Sequence, residues 1–180
     1  CGGGGGGTAG MQMARQIGAR VVATAGSPEK IARLMDLGLD AGINYKTEDF
    51  AVRVRALTNN SGVELVQDFL GASYWQRNLQ CLKVGGRLVL VGLMGGAKVE
   101  ANLGLILSKR LHVIGSVMRS QALQDKIGIT QRFRERWLPL LEQGKLRPII
   151  DTSFPLAEAA AAHQYMEDNR NVGKIMLLVD

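Results

Sequence analysis

Hydrophobic residues follow two alternating patterns along the chain. Short apolar runs predict strands or extended segments at 20–24, 41–44, 63–69, 87–91, 111–118, 146–151 and 173–179. Between them, apolar residues recur at helical spacing, which predicts helices at 8–18, 27–38, 47–57, 71–82, 103–108, 122–142 and 156–166. Because helices that join apolar strands cover both faces of a sheet, the pattern indicates an α/β fold with a doubly wound parallel sheet.

A run of six glycines at positions 2–7 precedes the first predicted helix. Such a run can be a flexible linker, or it can be the phosphate-binding turn between a strand and a helix. The spacing G-x-G-x-x-G occurs twice, as Gly2/Gly4/Gly7 and as Gly5/Gly7/Gly10. A helix, a strand and another helix follow at once, which favours the phosphate-binding turn. The second register would put Gly5 in the tight turn, Gly7 beside a pyrophosphate and Gly10 against the sheet.

The tip of the next predicted strand carries no acidic residue. Dinucleotide-binding folds that prefer NAD place Asp or Glu there to bind the ribose hydroxyls. Here the segment holds Ser27 at a predicted helix N-cap and Lys30 one turn later, while Glu29 is expected to point away. A hydroxyl, helix N–H groups and an ammonium suit a 2′-phosphate, so the sequence predicts NADPH as the cofactor. A plain helix cap at Ser27 and a solvated surface lysine are the alternatives.

The composition is that of an ordinary globular domain, with 46% hydrophobic and 21% charged residues among 180. The net charge of +6 is scattered along the chain, which disfavours a nucleic-acid partner. No apolar run reaches the length of a membrane span, and no stretch resembles a secretory signal. Cys1 and Cys81 form neither a disulfide framework nor a metal-ligand spacing, which favours a cytoplasmic location.

The sequence predicts no catalytic side chain and no metal ligand. It contains no nucleophile paired with a base, no carboxylate pair and no cluster of metal-binding residues. His112, in a predicted strand, and His163, in a predicted helix, are expected to be structural.

Five sequence blocks in order along nearly the whole chain carry a family resemblance. They are Thr24-Ala25-Gly26-Ser27, Ile43-Asn44-Tyr45-Lys46, Gly71-Ala72-Ser73-Tyr74-Trp75, Gly92-Leu93-Met94-Gly95-Gly96 and Ala162-His163-Gln164-Tyr165-Met166-Glu167. With these blocks the chain resembles the cofactor-binding half of the zinc-independent NADPH:quinone oxidoreductases of the p53-inducible type. These enzymes belong to the medium-chain dehydrogenase/reductase superfamily.

The resemblance implies an enzyme that transfers a hydride from NADPH to a small quinone-like acceptor. It places Tyr45 near the adenosine 2′-phosphate, and it places Leu93, Met94 and the backbone at Gly92 beside the nicotinamide. Asn171 would close over the cofactor. The full set of cofactor-binding residues predicted is Gly5, Gly6, Gly7, Thr8, Gly26, Ser27, Lys30, Tyr45, Gly71, Gly92, Leu93, Met94, Ser116, Met118, Arg119 and Asn171.

The family also implies a domain organisation. Residues 1–145 are expected to form the dinucleotide-binding Rossmann domain, and 146–180 a segment that packs partly on an N-terminal substrate domain. Since family members begin with that substrate domain and the first Rossmann strand, the chain is expected to be truncated before or within that strand. A homodimer is expected through the predicted strand 111–118, whose outer edge would be open.

Other functions remain compatible with the sequence. Within the same superfamily, the protein could be an enoyl or alkenal reductase or a zinc-type alcohol dehydrogenase. In another class, it could be a structural or sensor protein that binds NADPH without turning it over.

Overall fold

A computed structural model describes residues 2–179 as a succession of helices and parallel strands. The helices are α1 (Gly5–Gln16), α2 (Pro28–Asp36), α3 (Phe50–Leu57), α4 (Trp75–Cys81), α5 (Leu103–Lys109), α6 (Leu123–Arg136), α7 (Leu138–Glu142) and α8 (Ala159–Glu167). The strands are β1 (Val22–Ala25), β2 (Ala41–Asn44), β3 (Val63–Asp68), β4 (Leu82–Leu90), β5 (His112–Gly115), β6 (Ile150–Pro155) and β7 (Lys174–Leu178). Short 3₁₀ helices, Gly71–Tyr74 and Leu156–Glu158, precede α4 and α8. Cys1, which the sequence places at most at the end of a strand, lies outside the described residues.

All strand pairings are parallel, which confirms the predicted α/β class. β1 pairs with β2, β6 pairs with β7, and β3, β4 and β5 form a three-stranded sheet in that order. Val22 faces Ala41 in the first pair, and Leu88 faces Val113 between β4 and β5. Before α1, Gly4 forms an isolated parallel bridge with Gly173.

The chain divides into two compact units, one of residues 1–46 with 127–180 and one of residues 47–126. The first unit holds α1, α2, β1, β2 and the elements from α7 onward, together with most of α6. The second unit holds α3 to α5 and β3 to β5. The expected division at residue 145 stays a prediction.

Each unit has its own hydrophobic core. In the first, Met11 of α1 and Leu34 of α2 pack with Val172, which precedes β7. In the second, Leu79 of α4 packs with Leu82 and Leu88 of β4. These side chains alternate with exposed ones along helices and strands, which is the pattern from which the elements were predicted. No helix within residues 2–179 is long and apolar enough to cross a membrane.

Helix α2 begins where the sequence predicts. Its N-cap is Ser27, whose Oγ accepts a hydrogen bond from the N–H of Lys30 at 3.3 Å, and Pro28 occupies the first turn. Leu34 of this helix is fully buried, whereas Met35 is 44% exposed.

The long helix predicted over 122–142 is two helices, α6 and α7, separated at Trp137. Pro139 lies in the first turn of α7. Because proline lacks an N–H and its ring clashes with the preceding turn, one helix cannot run through this position. Neither α6 nor α7 has a buried residue among those described, and Phe133 is 42% exposed.

Two predicted strand boundaries also differ. The sequence predicts a strand only from residue 87, but β4 begins at Leu82 and runs through Gly85 and Gly86. Gly85 has φ +75°, and the register with β3 shifts between Val63 and Leu65. A bulge therefore absorbs the glycines within the strand, because glycine adopts positive φ without steric cost. The extended segment predicted from 146 pairs only from Ile150 onward.

Candidate functional site

The glycine run of the first unit forms a turn and then the first turn of α1. Gly2 and Gly3 lie in the turn, and the helix begins at Gly5, three residues earlier than predicted. The N–H of Thr8 donates to the carbonyl of Gly4 at 2.9 Å and closes the first helical turn. Gly5 therefore belongs to the helix and not to the tight turn in which the sequence placed it.

The N-terminus of α1 is open to an anion. Its N-cap, Gly4, offers no side chain, and its first turn contains no acidic residue. The first N–H groups of a helix, here those of Gly5, Gly6 and Gly7, have no acceptor within the helix and carry a partial positive charge. Buried Thr8 uses its hydroxyl internally, donating to the carbonyl of Gly5 at 3.2 Å.

Hydrogen bonds hold the glycine turn between β1 and the segment before β7. The N–H of Gly2 donates to the carbonyl of Thr24 at 2.9 Å, and the N–H of Gly173 donates to the carbonyl of Gly3 at 2.7 Å. Asn171, two residues earlier, donates through Nδ2 to the carbonyl of Gly173 at 2.9 Å. The structure thus brings Asn171 to the glycine turn, and its expected closure over the cofactor stays a prediction.

Lys174 is a cation of this turn that the sequence analysis did not identify. A Cβ built on Gly5 would lie 2.8 Å from Cδ and 3.1 Å from Nζ of Lys174. The ammonium consequently lies at the N-terminus of α1. The position of Lys174 at the start of β7 gives no local signal in the sequence, because β7 and the start of α1 meet only in the folded unit.

Lys30 is buried at the tip of β1, with 9% of its surface exposed. Its Nζ donates to Oδ1 of Asn169 at 2.8 Å. Burial lowers the pKa of the Lys30 ammonium from its usual range, Lys46 and Arg33 act in the same direction, and only Asp151 opposes them. Lys30 is therefore a cation held by a neutral partner among other cations, which suits an anionic ligand.

Tyr45 follows β2 and reaches the same place. Its hydroxyl accepts a hydrogen bond from Nδ2 of Asn169 at 3.3 Å. A Cβ on Gly26 would lie 2.7 Å from that hydroxyl, so the tyrosine can occupy this place only because residue 26 is glycine. The structure brings together Gly26, Lys30 and Tyr45, and it adds Asn169, which the sequence analysis missed.

Ser27 is more engaged than the sequence suggested. Its Oγ caps α2, and its hydrogen bond is the main cause of a lowered pKa of the Glu29 carboxyl. Ser27 therefore interacts with the first turn of α2, as the alternative of a plain helix cap anticipated.

In the second unit, the loops after β3 and β4 are joined by hydrogen bonds. The buried carboxylate of Asp68 accepts hydrogen bonds from the N–H groups of Leu70 at 2.8 Å and Gly71 at 2.9 Å. The N–H of Gly95 donates to the carbonyl of Leu70 at 2.7 Å. Gly71 has φ +75°, and a Cβ there would lie 2.6 Å from the carbonyl oxygen of Gly96, so only glycine fits.

The remaining predicted residues of the second unit lie past the carboxyl ends of β4 and β5. Leu93 and Met94 project from the loop after β4, with 54% and 79% of their surfaces exposed. Gly92 lies close to the backbone of Phe69: a Cβ added to Gly92 would lie 3.0 Å from the carbonyl oxygen of Phe69. Ser116, Met118 and Arg119 follow β5 and are exposed. In open α/β sheets this edge is where ligands bind.

Comparison with known proteins identifies the family. The family model described as "Zinc-binding dehydrogenase" matches residues 5–140. The chain therefore belongs to the zinc-binding dehydrogenase family, and the expected resemblance to quinone oxidoreductases of the medium-chain superfamily is confirmed by its relatives.

Two curated relatives illustrate that similarity. A 2-haloacrylate reductase of Burkholderia sp. is 34% identical over 176 residues, covering 93% of this chain and 50% of the relative. A quinone oxidoreductase of Pseudomonas aeruginosa is 33% identical over 176 residues, covering 97% of this chain and 54% of the relative. The chain thus spans about half the length of the curated relatives it matches.

A solved structure supports the same fold. The Escherichia coli quinone oxidoreductase complexed with NADPH superimposes with a TM-score of 0.83 at 26% identity, covering 98% of this chain and 55% of that one.

The chain's own residues fit a dinucleotide phosphate. The fit rests on a helix N-terminus without a side-chain cap, on glycines whose added Cβ would meet Lys174 and Tyr45, and on the cationic side chain of the buried residue Lys30. The residues do not fit the zinc ion that the family's description implies. Within residues 2–179, no group of three or more His, Cys, Asp or Glu side chains could hold a metal ion.

Proposed function

We propose that the protein is an NADPH-dependent oxidoreductase that reduces a small quinone-like acceptor. One observation carries the choice of cofactor: Lys30, a buried residue with a cationic side chain, lies at the tip of β1, where NAD-binding folds place an acid. An ammonium there attracts a 2′-phosphate and offers nothing specific to a 2′-hydroxyl. The quinone-like acceptor is proposed from the relatives, among them the quinone oxidoreductase of Pseudomonas aeruginosa.

Each predicted residue has a role in this proposal. The first-turn N–H groups of Gly5, Gly6 and Gly7 bind the pyrophosphate. Lys30 and Tyr45 bind the adenosine 2′-phosphate. The remaining contacts, which are also proposals, come from Thr8, Gly26, Ser27 and Asn171.

The nicotinamide contacts are proposed for residues that follow β3, β4 and β5. NADPH, when bound, supplies the hydride. Leu93 and Met94 would orient the nicotinamide by apolar contact and exclude water, because both are exposed at the edge where ligands bind. Gly71, Gly92, Ser116, Met118 and Arg119 would complete the contacts. No side chain of this chain is assigned a proton transfer, since a reduced quinone oxygen can take its proton from water.

Calorimetric titration of the intact protein with NADPH and with NADH tests the cofactor. We expect NADPH to bind more tightly, and Lys30→Ala to weaken NADPH binding by about tenfold or more, since a hydrogen bond to a charged group is lost. NADH binding should change little. Equal losses for both cofactors would refute the role of Lys30.

A second substrate class is favoured by the 34% identity to a 2-haloacrylate reductase. In that case the acceptor is an activated carbon–carbon double bond of a small acid. NADPH oxidation measured with a benzoquinone and with 2-chloroacrylate distinguishes the two, because only the preferred acceptor should give a high kcat/KM.

We also propose a homodimer through the segment Leu111 to Met118, in a cytoplasmic setting. Among residues 2–179, β5 pairs on one side only, with β4, and all four of its residues are exposed. Such an edge can pair with a second copy. Sedimentation of the intact protein should give a dimer that Ile114→Lys converts to a monomer. A wild-type monomer would refute it.

A further inference from the structure

Asn169 lies just after α8 and connects two residues of the proposed 2′-phosphate site. Its Oδ1 accepts a hydrogen bond from Nζ of Lys30 at 2.8 Å, and its Nδ2 donates to the hydroxyl of Tyr45 at 3.3 Å. One carboxamide thus positions an ammonium and a phenol that belong to α2 and to the end of β2. Position 169 is 139 residues from Lys30 and 124 from Tyr45, so only folding brings the three together.

The backbone of Asn169 explains how its side chain reaches this place. Its φ is +54°, in the left-handed region that asparagine adopts more readily than most residues. Its N–H donates to the carbonyl of Met166 at 2.9 Å, so it also terminates α8. Asparagine and glycine both suit such a helix end. Glycine would therefore serve a purely structural role equally well. Glycine could not, however, form the two side-chain hydrogen bonds to Lys30 and Tyr45.

The neutrality of Asn169 matters for the charge of the site. A carboxylate in its place would pair with the Lys30 ammonium and repel a phosphate. The carboxamide holds the ammonium in position and leaves its charge available. Asp151, the acidic group whose charge acts on Lys30, is itself occupied, since it accepts hydrogen bonds from Arg33 at 2.6 Å and from Tyr165 at 2.8 Å.

We propose that Asn169 is a positioning residue for cofactor specificity: it holds Lys30 and Tyr45 in the geometry that binds the 2′-phosphate monoester of NADPH, and its neutrality maintains the preference over NADH. This inference rests on the proposed function, because it assigns a role within the same cofactor site.

The test compares dissociation constants for NADPH and NADH in the intact protein and in three variants. Asn169→Gly keeps the left-handed backbone and removes both side-chain hydrogen bonds, so NADPH binding should weaken by about three- to tenfold while NADH binding is unchanged. Asn169→Asp should weaken NADPH binding by about tenfold or more and leave NADH equal or tighter. Asn59→Gly is the matched control, since Asn59 also has positive φ, at +49°, and lies outside this site.

The ratio of the two constants separates the possible results. A lower NADPH preference in both Asn169 variants, with unfolding midpoints at least equal to wild type, supports the proposal. An unchanged ratio in both, while Lys30→Ala still loses NADPH affinity, overturns the role of Asn169 and leaves the proposed function intact. If the wild-type protein binds neither cofactor, both are overturned.

Discussion

The side chain of Lys174 lies against the backbone of Gly5 at the start of α1. A Cβ on Gly5 would come within 2.8 Å of Cδ and 3.1 Å of Nζ of the lysine. The lysine starts β7, next to Gly173, whose N–H donates to the carbonyl of Gly3 at 2.7 Å. Lys174 can thus lie in this position only because residue 5 is glycine. No sequence motif indicates the lysine.

Gly5→Ala should separate cofactor binding from stability. The new methyl group meets the flexible end of a lysine, which can move away, and alanine favours a helix over glycine by about 0.5–1 kcal/mol. We therefore expect an unchanged or slightly higher unfolding midpoint, together with NADPH and NADH binding weakened by about threefold. Thermal unfolding and calorimetric titration measure the two quantities. A variant that loses stability without losing affinity would contradict this prediction.

Lys174→Met should weaken both cofactors equally. The ammonium lies at the helix N-terminus, where the pyrophosphate common to NADPH and NADH is proposed to bind. Because the side chain is exposed, we expect a loss of only about 1 kcal/mol, or about fivefold in each dissociation constant. Lys145→Met, in the same unit, is the control.

The two substitutions at this turn should also be coupled. If Gly5→Ala acts by displacing the lysine, it should have little effect in a Lys174→Met background. Fully additive losses would show that the alanine acts on the turn itself, and a Lys174→Met variant that discriminates between the cofactors would place the ammonium at another group.

Asp151→Asn should destabilise the first unit in a pH-dependent manner. Burial alone would raise the pKa of this carboxyl, but hydrogen bonds from the N–H of Val172, from Arg33 and from Tyr165 lower it below the ordinary value. A carboxyl with a lowered folded-state pKa contributes stability above its unfolded pKa and loses that contribution as the pH falls through the folded value.

The expected cost of Asp151→Asn at pH 7 is about 1–3 kcal/mol in the free energy of unfolding, because the N–H of buried Val172, together with Arg33 and Tyr165, loses a charged acceptor. The difference from wild type should persist at neutral pH and shrink below the ordinary aspartate pKa of 3.8. Urea unfolding at several pH values measures it, and a difference that is constant down to acid pH would refute the assignment.

Cys81 should not react with thiol reagents while the protein is folded. Burial, reinforced by the charge of Asp49, raises the pKa of its thiol to about 12. Since the thiolate is the nucleophile, the fraction available near neutral pH is negligible, and the side chain is also inaccessible, at 2% exposure. Iodoacetamide should modify the Cys81 peptide only in denaturant, as judged by mass spectrometry. Rapid modification under native conditions would contradict the burial.

Several features followed from the sequence alone because they depend on local chemistry. Ser27 and Pro28 specify the start of α2, and the apolar runs specify β1 to β4, because caps and period-2 or helical spacing act within a few residues. The glycine run before a helix, with an acid-free strand tip after it, was sufficient to predict a dinucleotide site and its cofactor type.

Only the tertiary structure decided which distant groups meet at that site. Asn169 and Lys174 gave no signal because their partners, Lys30 and Gly5, lie far away along the chain and no local pattern encodes such contacts. The exposed Phe133 of α6 shows a related limit of the sequence: periodicity shows that a face is apolar, but burial requires another element to cover it. The sequence therefore predicted the elements and the type of ligand, and the fold determined which side chains meet at the proposed site.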